Sequence, residues 1–210
     1  APNGNNALAP TSGVTFNVSN ITLGGINFSN TCWCVYSHAT GGIKTTMVGA
    51  RPFINAEEMT YGPRIGPRWQ LQGETTNTLV KIGGGNLTLD DKPFILFDTV
   101  EVQDGFLATT STLETVITDC PVLLTDGGIS YKPAAAAEGA ASAKIAPGGI
   151  AVDSLYGEIA IARGDNDSAA LAFGPLEMAD SALLSIDNSG SLGSSEKITF
   201  AEYSSGDMPG

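Results

Sequence analysis

The sequence predicts a mainly β protein: an antiparallel β-sandwich or barrel-like domain, with an extended N-terminal arm and at most one or two short helices. Three observations lead there. Apolar residues alternate with polar ones at period two in many short runs, as half-buried strands require. Clusters of Gly, Asp, Asn and Ser separate these runs at roughly ten-residue spacing, which is turn chemistry. Twenty-six glycines and a charged content of only 15% suit many strands joined by tight turns better than a helical bundle.

Residues 1–30 form the arm and the first strands. The opening APNGNNALAPTSG is rich in Pro, Asn and Gly, and Val14, Phe16 and Val18 then alternate, followed by Ile21 and Leu23 and by Ile26 and Phe28. Residues 31–131 form the main β domain. Cys32-Trp33-Cys34 continues extended toward Tyr36, and Lys44 to Val48 is a strand after the Gly41-Gly42 turn. Thr78–Ile82 and Leu87–Leu89 flank Gly83-Gly84-Gly85-Asn86 as a hairpin. Phe94–Val102 is the strongest single strand. Ser111 to Glu114 has capping-box spacing, so 112–119 reads as a helix ended by Pro121. Pro121–Thr125 and Ile129–Lys132 flank Asp126-Gly127-Gly128 as another hairpin. Residues 132–149 are an Ala/Pro/Gly-rich loop or linker. Residues 150–210 hold two further hairpins: Leu155–Arg163 with Ala169–Phe173, and Ala182–Ile186 with Lys197–Tyr203.

Between Arg51 and Trp69 the chain carries Arg51, Phe53, Tyr61, Arg64, Arg68 and Trp69, with Gly-Pro-Arg written twice. Proline fixes φ and lacks an N–H, so the segment is expected to be an extended or turning loop that projects its arginines. Arg, Tyr and Trp are the residues that most often anchor protein interfaces, and these six are the candidate docking set. Charge points the same way. No acid precedes Glu57, so residues 1–56 carry Lys44 and Arg51 alone, while the chain as a whole sums to −12. A weakly positive head and a strongly acidic body can associate between copies.

The chemistry-bearing residues are sparse. His38 is the only histidine, and any Ser-His-Asp or Cys-His relay would pass through it. Cys32, Cys34 and His38 do not follow the paired spacing of structural zinc sites, so no metal is expected. Cys120 can pair with Cys32 or Cys34 in an oxidising compartment. Gly41-Gly42-Ile43-Lys44-Thr45 lacks the residue order of a phosphate loop. Asp165-Asn166-Asp167 lacks the glycine and glutamate of a calcium loop, and Arg163-Gly164-Asp165 is an adhesion-type tripeptide in a predicted turn. Glu57-Glu58 and Asp90-Asp91 are neighbours that point oppositely in a strand, not an acid/base couple. Glycosylation sequons stand at Asn17, Asn20, Asn27, Asn86 and Asn166.

Four arginines and six lysines in an acidic chain supply no basic patch, so direct nucleic-acid binding is not expected. No apolar run approaches the ~20 residues that span a bilayer, so neither is membrane insertion. No cofactor motif is present, and the chain is not expected to be an enzyme. The expected role is a structural assembly subunit: a virion capsid, cement or decoration protein that packs against copies of itself or a shell. The alternatives are an extracellular filament or pilus subunit joined by N-terminal strand donation, and a carbohydrate-binding or adhesive module.

Overall fold

In a computed structural model the chain is a parallel β-solenoid, not an antiparallel sandwich or barrel. The structure describes residues 20–28, 35–36, 43–58, 63–65, 69–73, 77–89, 94–110, 120–134, 139–153, 156–188 and 195–205. The chain winds through three faces in a fixed order. Asn20–Leu23 (β1), Gly25–Phe28 (β2) and Val35–Tyr36 (β3) are followed by Ile43–Met47 (β4), Phe53–Ala56 (β5) and Arg64–Ile65 (β6). Trp69–Gly73 (β7), Thr78–Ile82 (β8) and Asn86–Leu89 (β9) come next, then Phe94–Ile95 (β10), Thr99–Val102 (β11) and Phe106–Thr109 (β12). The course continues with Val122–Leu124 (β13), Gly128–Tyr131 (β14), Ala140–Lys144 (β15), Ile150–Val152 (β16), Tyr156–Ile161 (β17) and Ser168–Phe173 (β18). Leu176–Met178 (β19), Leu183–Asn188 (β20), Glu196–Phe200 (β21) and Tyr203–Ser205 (β22) end it.

Each strand pairs in parallel with the strand one coil away. The longest sheet runs β2-β5-β8-β11-β13-β16-β19-β22, and a second runs β3-β6-β9-β12-β14-β17-β20. The third face is β1-β4-β7-β10 in the first half and β15-β18-β21 in the second. Among the described residues there is no helix. The 112–119 segment and residues 1–13 lie outside the described residues.

The hairpin expectations fail for one reason. A tight turn between two alternating runs is the same local signal whether the chain reverses or bends into the next face. Thr78–Ile82 and Asn86–Leu89 flank the three glycines as expected, but they lie in different sheets. Thr78 pairs with Thr99, and Leu87 with Leu107. The runs around Asp126-Gly127 likewise separate, Val122 pairing with Ile150 and Gly128 with Glu158. Strands β17 and β18, expected as one hairpin, pair instead with β20 and β21. The single strand expected over Phe94–Val102 is two, divided by a corner at Leu96, whose φ of 58° is left-handed. The signal that separates the two folds is the longer period of about 20–30 residues between equivalent positions, which marks solenoids.

Prolines punctuate this winding. Pro52, Pro63, Pro121 and Pro175 each stand immediately before a strand, where no ladder N–H is lost. Their carbonyls still join the neighbouring coil, accepting from the N–H groups of Val80 (2.9 Å), Thr88 (2.8 Å), Val100 (3.0 Å) and Ile150 (2.8 Å). The Arg51–Trp69 stretch is therefore not one projecting loop. It supplies β5 and β6, and its last residue opens β7.

Inward side chains stack on their equivalents one coil away. One column is Ile54, Lys81, Val102, Leu124, Val152 and Met178. Another is Leu87, Leu107, Ile129, Ile159 and Ile186. In the third face Phe173 lies over Phe200, ring centroids 5.3 Å apart and planes 16° from parallel. One continuous core runs from Phe28 to Leu176.

Coils this close leave no room for some side chains. Gly85 donates its N–H to the Ala56 carbonyl at 2.9 Å, and a Cβ there would sit 2.9 Å from that same oxygen and closer still to the Glu57 carbonyl. Gly84, its neighbour, faces solvent with only the Asp104 carboxylate near, at 3.7 Å. Gly85→Ala should therefore cost about 1–3 kcal/mol in chemical denaturation, while Gly84→Ala changes stability by less than about 0.5 kcal/mol. Equal effects of the two would refute the stacked corner.

Candidate functional site

The expected docking set is only partly gathered. Arg51, just before β5, does not project freely. Its guanidinium meets the Glu101 carboxylate at 2.5 Å. Glu101 lies on the outer face of β11, buried, and also accepts from the Gln103 side-chain amide at 2.7 Å. Phe53 is 40% exposed on the same outer face. Its ring lies against Gly25 one coil away, where a Cβ would come within 2.6 Å of the ring carbons. Arg64 and Trp69 enter as backbone of β6 and β7, and Tyr61 and Arg68 lie outside the described residues. Arg51 and Phe53 thus share one outer sheet face, but Arg51 is held by its own chain. The partner of Arg51 lies fifty positions away in sequence.

Cys120 is buried, while Cys32, Cys34 and His38 lie outside the described residues, so the disulfide expectation falls there. Among the described residues no three His, Cys, Asp or Glu side chains converge as a metal site. Asp165 and Asp167 are exposed on a turn that Asn166 secures, its buried amide donating to the carbonyls of Arg163 (2.9 Å) and Ala134 (3.1 Å). That sequon amide is committed to the backbone, whereas Asn86 at the start of β9 is exposed.

Among the described residues three buried charged residues went unnoticed in the sequence; Glu196 accepts from the Arg163 backbone N–H at 3.0 Å, and the other two stand in the longest sheet. Glu101 is one, sitting between Val100 and Val102. The other is Lys81, which occupies an inward position between Ile54 and Val102 in an otherwise apolar column. Its ammonium donates to the carbonyls of Gly83, Gly85 and Asp104, the last two at 2.6 Å. It ties the triglycine corner of one coil to the Asp104-Gly105 corner of the next. Burial lowers its pKa from 10.5 to about 8, and the Asp104 carboxylate pulls partly the other way. A single charge inside an apolar run followed by glycines was the available signal.

Among the described residues, three of the five exposed large apolar side chains stand on the last strands. Tyr203 continues the inward column Val122-Ile150-Leu176, yet is 63% exposed. Ile186 continues the inward column of the second sheet and is 42% exposed, and Leu183, in the outward register paired with Tyr156, is 59% exposed. β22, β20 and β21 are the terminal strands of their sheets here. Exposed acids surround these strands at Glu177, Asp180, Asp187 and Glu202, with Lys197 the one cation after Arg163.

No family model, curated protein or solved structure matches this chain.

Lys81 gives a pH-dependent prediction. Below pH 8 it is charged in folded and unfolded chain alike. Between about 8 and 10.5 the unfolded chain holds the proton more tightly, so this group makes stability rise with pH. Lys81→Met, which matches the column but leaves three carbonyls without their donor, should lose about 1–3 kcal/mol near neutral pH. Denaturant titrations across that window should show the upward slope in wild type and its loss in the variant; an unchanged slope refutes the assignment.

Proposed function

We propose that the chain is a structural assembly subunit, a virion capsid, cement or decoration protein that acts by packing rather than catalysis, its partners copies of itself or a shell. The observation that carries this reading lies on the last described strands. Among the described residues, core-register side chains with nothing stacked beneath them, beside the last strands of three sheets, form a surface built like an interior. Each uncovered apolar side chain of this size forgoes roughly 1–2 kcal/mol of burial. Free parallel edges are also templates for further strands. Solenoids bury such ends by capping or stacking. The acidic, lysine-poor outside favours specific contacts over general adhesion to other acidic surfaces.

A secreted extracellular filament subunit is the second reading, because the same edges can accept an extended strand from a neighbour. Electron microscopy of the purified native material separates the two. Closed shells or decorated particles are the expected result, and regular filaments select the second reading. Discrete monomers at high concentration, absent from every particle, overturn both.

A further inference from the structure

We propose that a notch on the outer face of the longest sheet takes an arginine side chain from a basic segment of a partner protein. The inference goes beyond the assembly reading and does not rest on it.

The notch follows from the register. Pro121, Gly149 and Pro175 stand at one position on three successive coils, each immediately before a strand of that sheet. The Gly149 carbonyl accepts from the Val122 N–H at 2.9 Å, and the Pro175 carbonyl from the Ile150 N–H at 2.8 Å. Two residues further on, Leu123, Ala151 and Glu177 form the next outward row. The middle coil therefore sets Gly149 and Ala151 between larger neighbours on both sides. Gly149 has a φ of 114°, a conformation that favours glycine, so the backbone itself keeps that position bare. The space left is about 230 Å³, with Pro121 and Pro175 as walls, Gly148, Gly149 and Ala151 along the floor, and Glu177 at the rim.

Shape and charge name the occupant. Pro121 and Pro175 are two strands apart, about 9.6 Å, so one flat group fits between their rings. Glu177 is exposed, as is Glu202 one coil beyond Pro175, and among the described residues neither carboxylate has an ion-pair partner. The group required is flat, weakly hydrated on its faces and cationic at its edge. A guanidinium meets all three conditions, and its fork donates two parallel hydrogen bonds to a carboxylate. The compact, strongly hydrated ammonium of lysine reaches the carboxylate but does not fill the slot. The source is another protein, because this chain sums to −12 and its copies repel at long range, while its own Arg51 is held by Glu101. A buried arginine of this kind is a common anchor of interface binding energy.

The test is an NMR titration of the isotope-labelled protein at low salt with blocked glycyl-arginyl-glycine, and with the same peptide carrying citrulline or lysine instead. The arginine peptide should shift the backbone amides of Gly148, Gly149, Ala151 and Glu177 saturably. The citrulline peptide, equal in shape but uncharged, should bind at least fivefold more weakly, and the lysine peptide several-fold more weakly. Ala151→Leu fills the notch and leaves both carboxylates, whereas Glu177→Gln keeps the shape and removes one charge. Each should weaken arginine binding fivefold or more while the rest of the amide spectrum stays in place, which shows that the variant is folded. Shifts spread over the acidic surface, or shifts that survive Ala151→Leu, overturn the notch as the site. Equal binding of all three peptides overturns the guanidinium as its occupant. Self-association of the protein alone that Ala151→Leu abolishes makes a second copy the occupant and overturns the assignment to a basic partner. Whether the native material forms shells or filaments is read separately, so a failure here leaves the assembly reading standing.

Discussion

Everything in this molecule depends on in-register stacking between parallel coils about 4.8 Å apart. An inward side chain meets the side chain at the same position one coil away, so each column must be filled along its whole length. The column from Ile54 to Met178 is apolar except at Lys81, and there the ammonium is turned onto three carbonyls at a corner. Spacing this tight also dictates where side chains are impossible. Gly85 lies on the Ala56 carbonyl, and a Cβ added at Gly105, whose φ is 59°, would stand 2.6 Å from the Lys81 Nζ. Glycine and lysine at this corner are one device: the glycines bring carbonyls inward, and the lysine satisfies them.

The same constraint explains which parts of the fold the sequence made legible. Strand content was readable because Leu87, Thr88 and Leu89, or Ile159, Ala160 and Ile161, alternate at period two in any half-buried sheet. Corners were readable from Gly83-Gly84-Gly85 and Asp126-Gly127. Pairing was not, because local sequence does not state whether a corner reverses the chain. That information lies in the longer period, and the coils here are irregular: 21 residues separate the paired Thr78 and Thr99, 28 the paired Val122 and Ile150. Substitution of one third-face sheet by another midway further blurs the repeat. At the candidate site the arginine-aromatic set was visible as residue types, but Arg51 turns onto Glu101, fifty positions away, which no local pattern announces.

The column logic that stabilises the middle is incomplete at the last described strands. Tyr203 and Ile186 hold core positions in a surface setting.

The parallel, in-register stack is the claim on which the rest stands, and pulsed dipolar distances between spin labels test it most directly. Thr88, Ala108, Ser130, Ala160 and Asp187 form one outward row. Labels at Thr88 and Asp187 are four strands apart and should report a backbone separation of about 19 Å; labels at Ala108 and Asp187, three strands apart, about 14 Å. Distances that grow in proportion to the number of intervening strands are the predicted result. Separations that ignore that count, or that bring Thr88 nearer to Thr78 than to Ala108 as a hairpin would, contradict it.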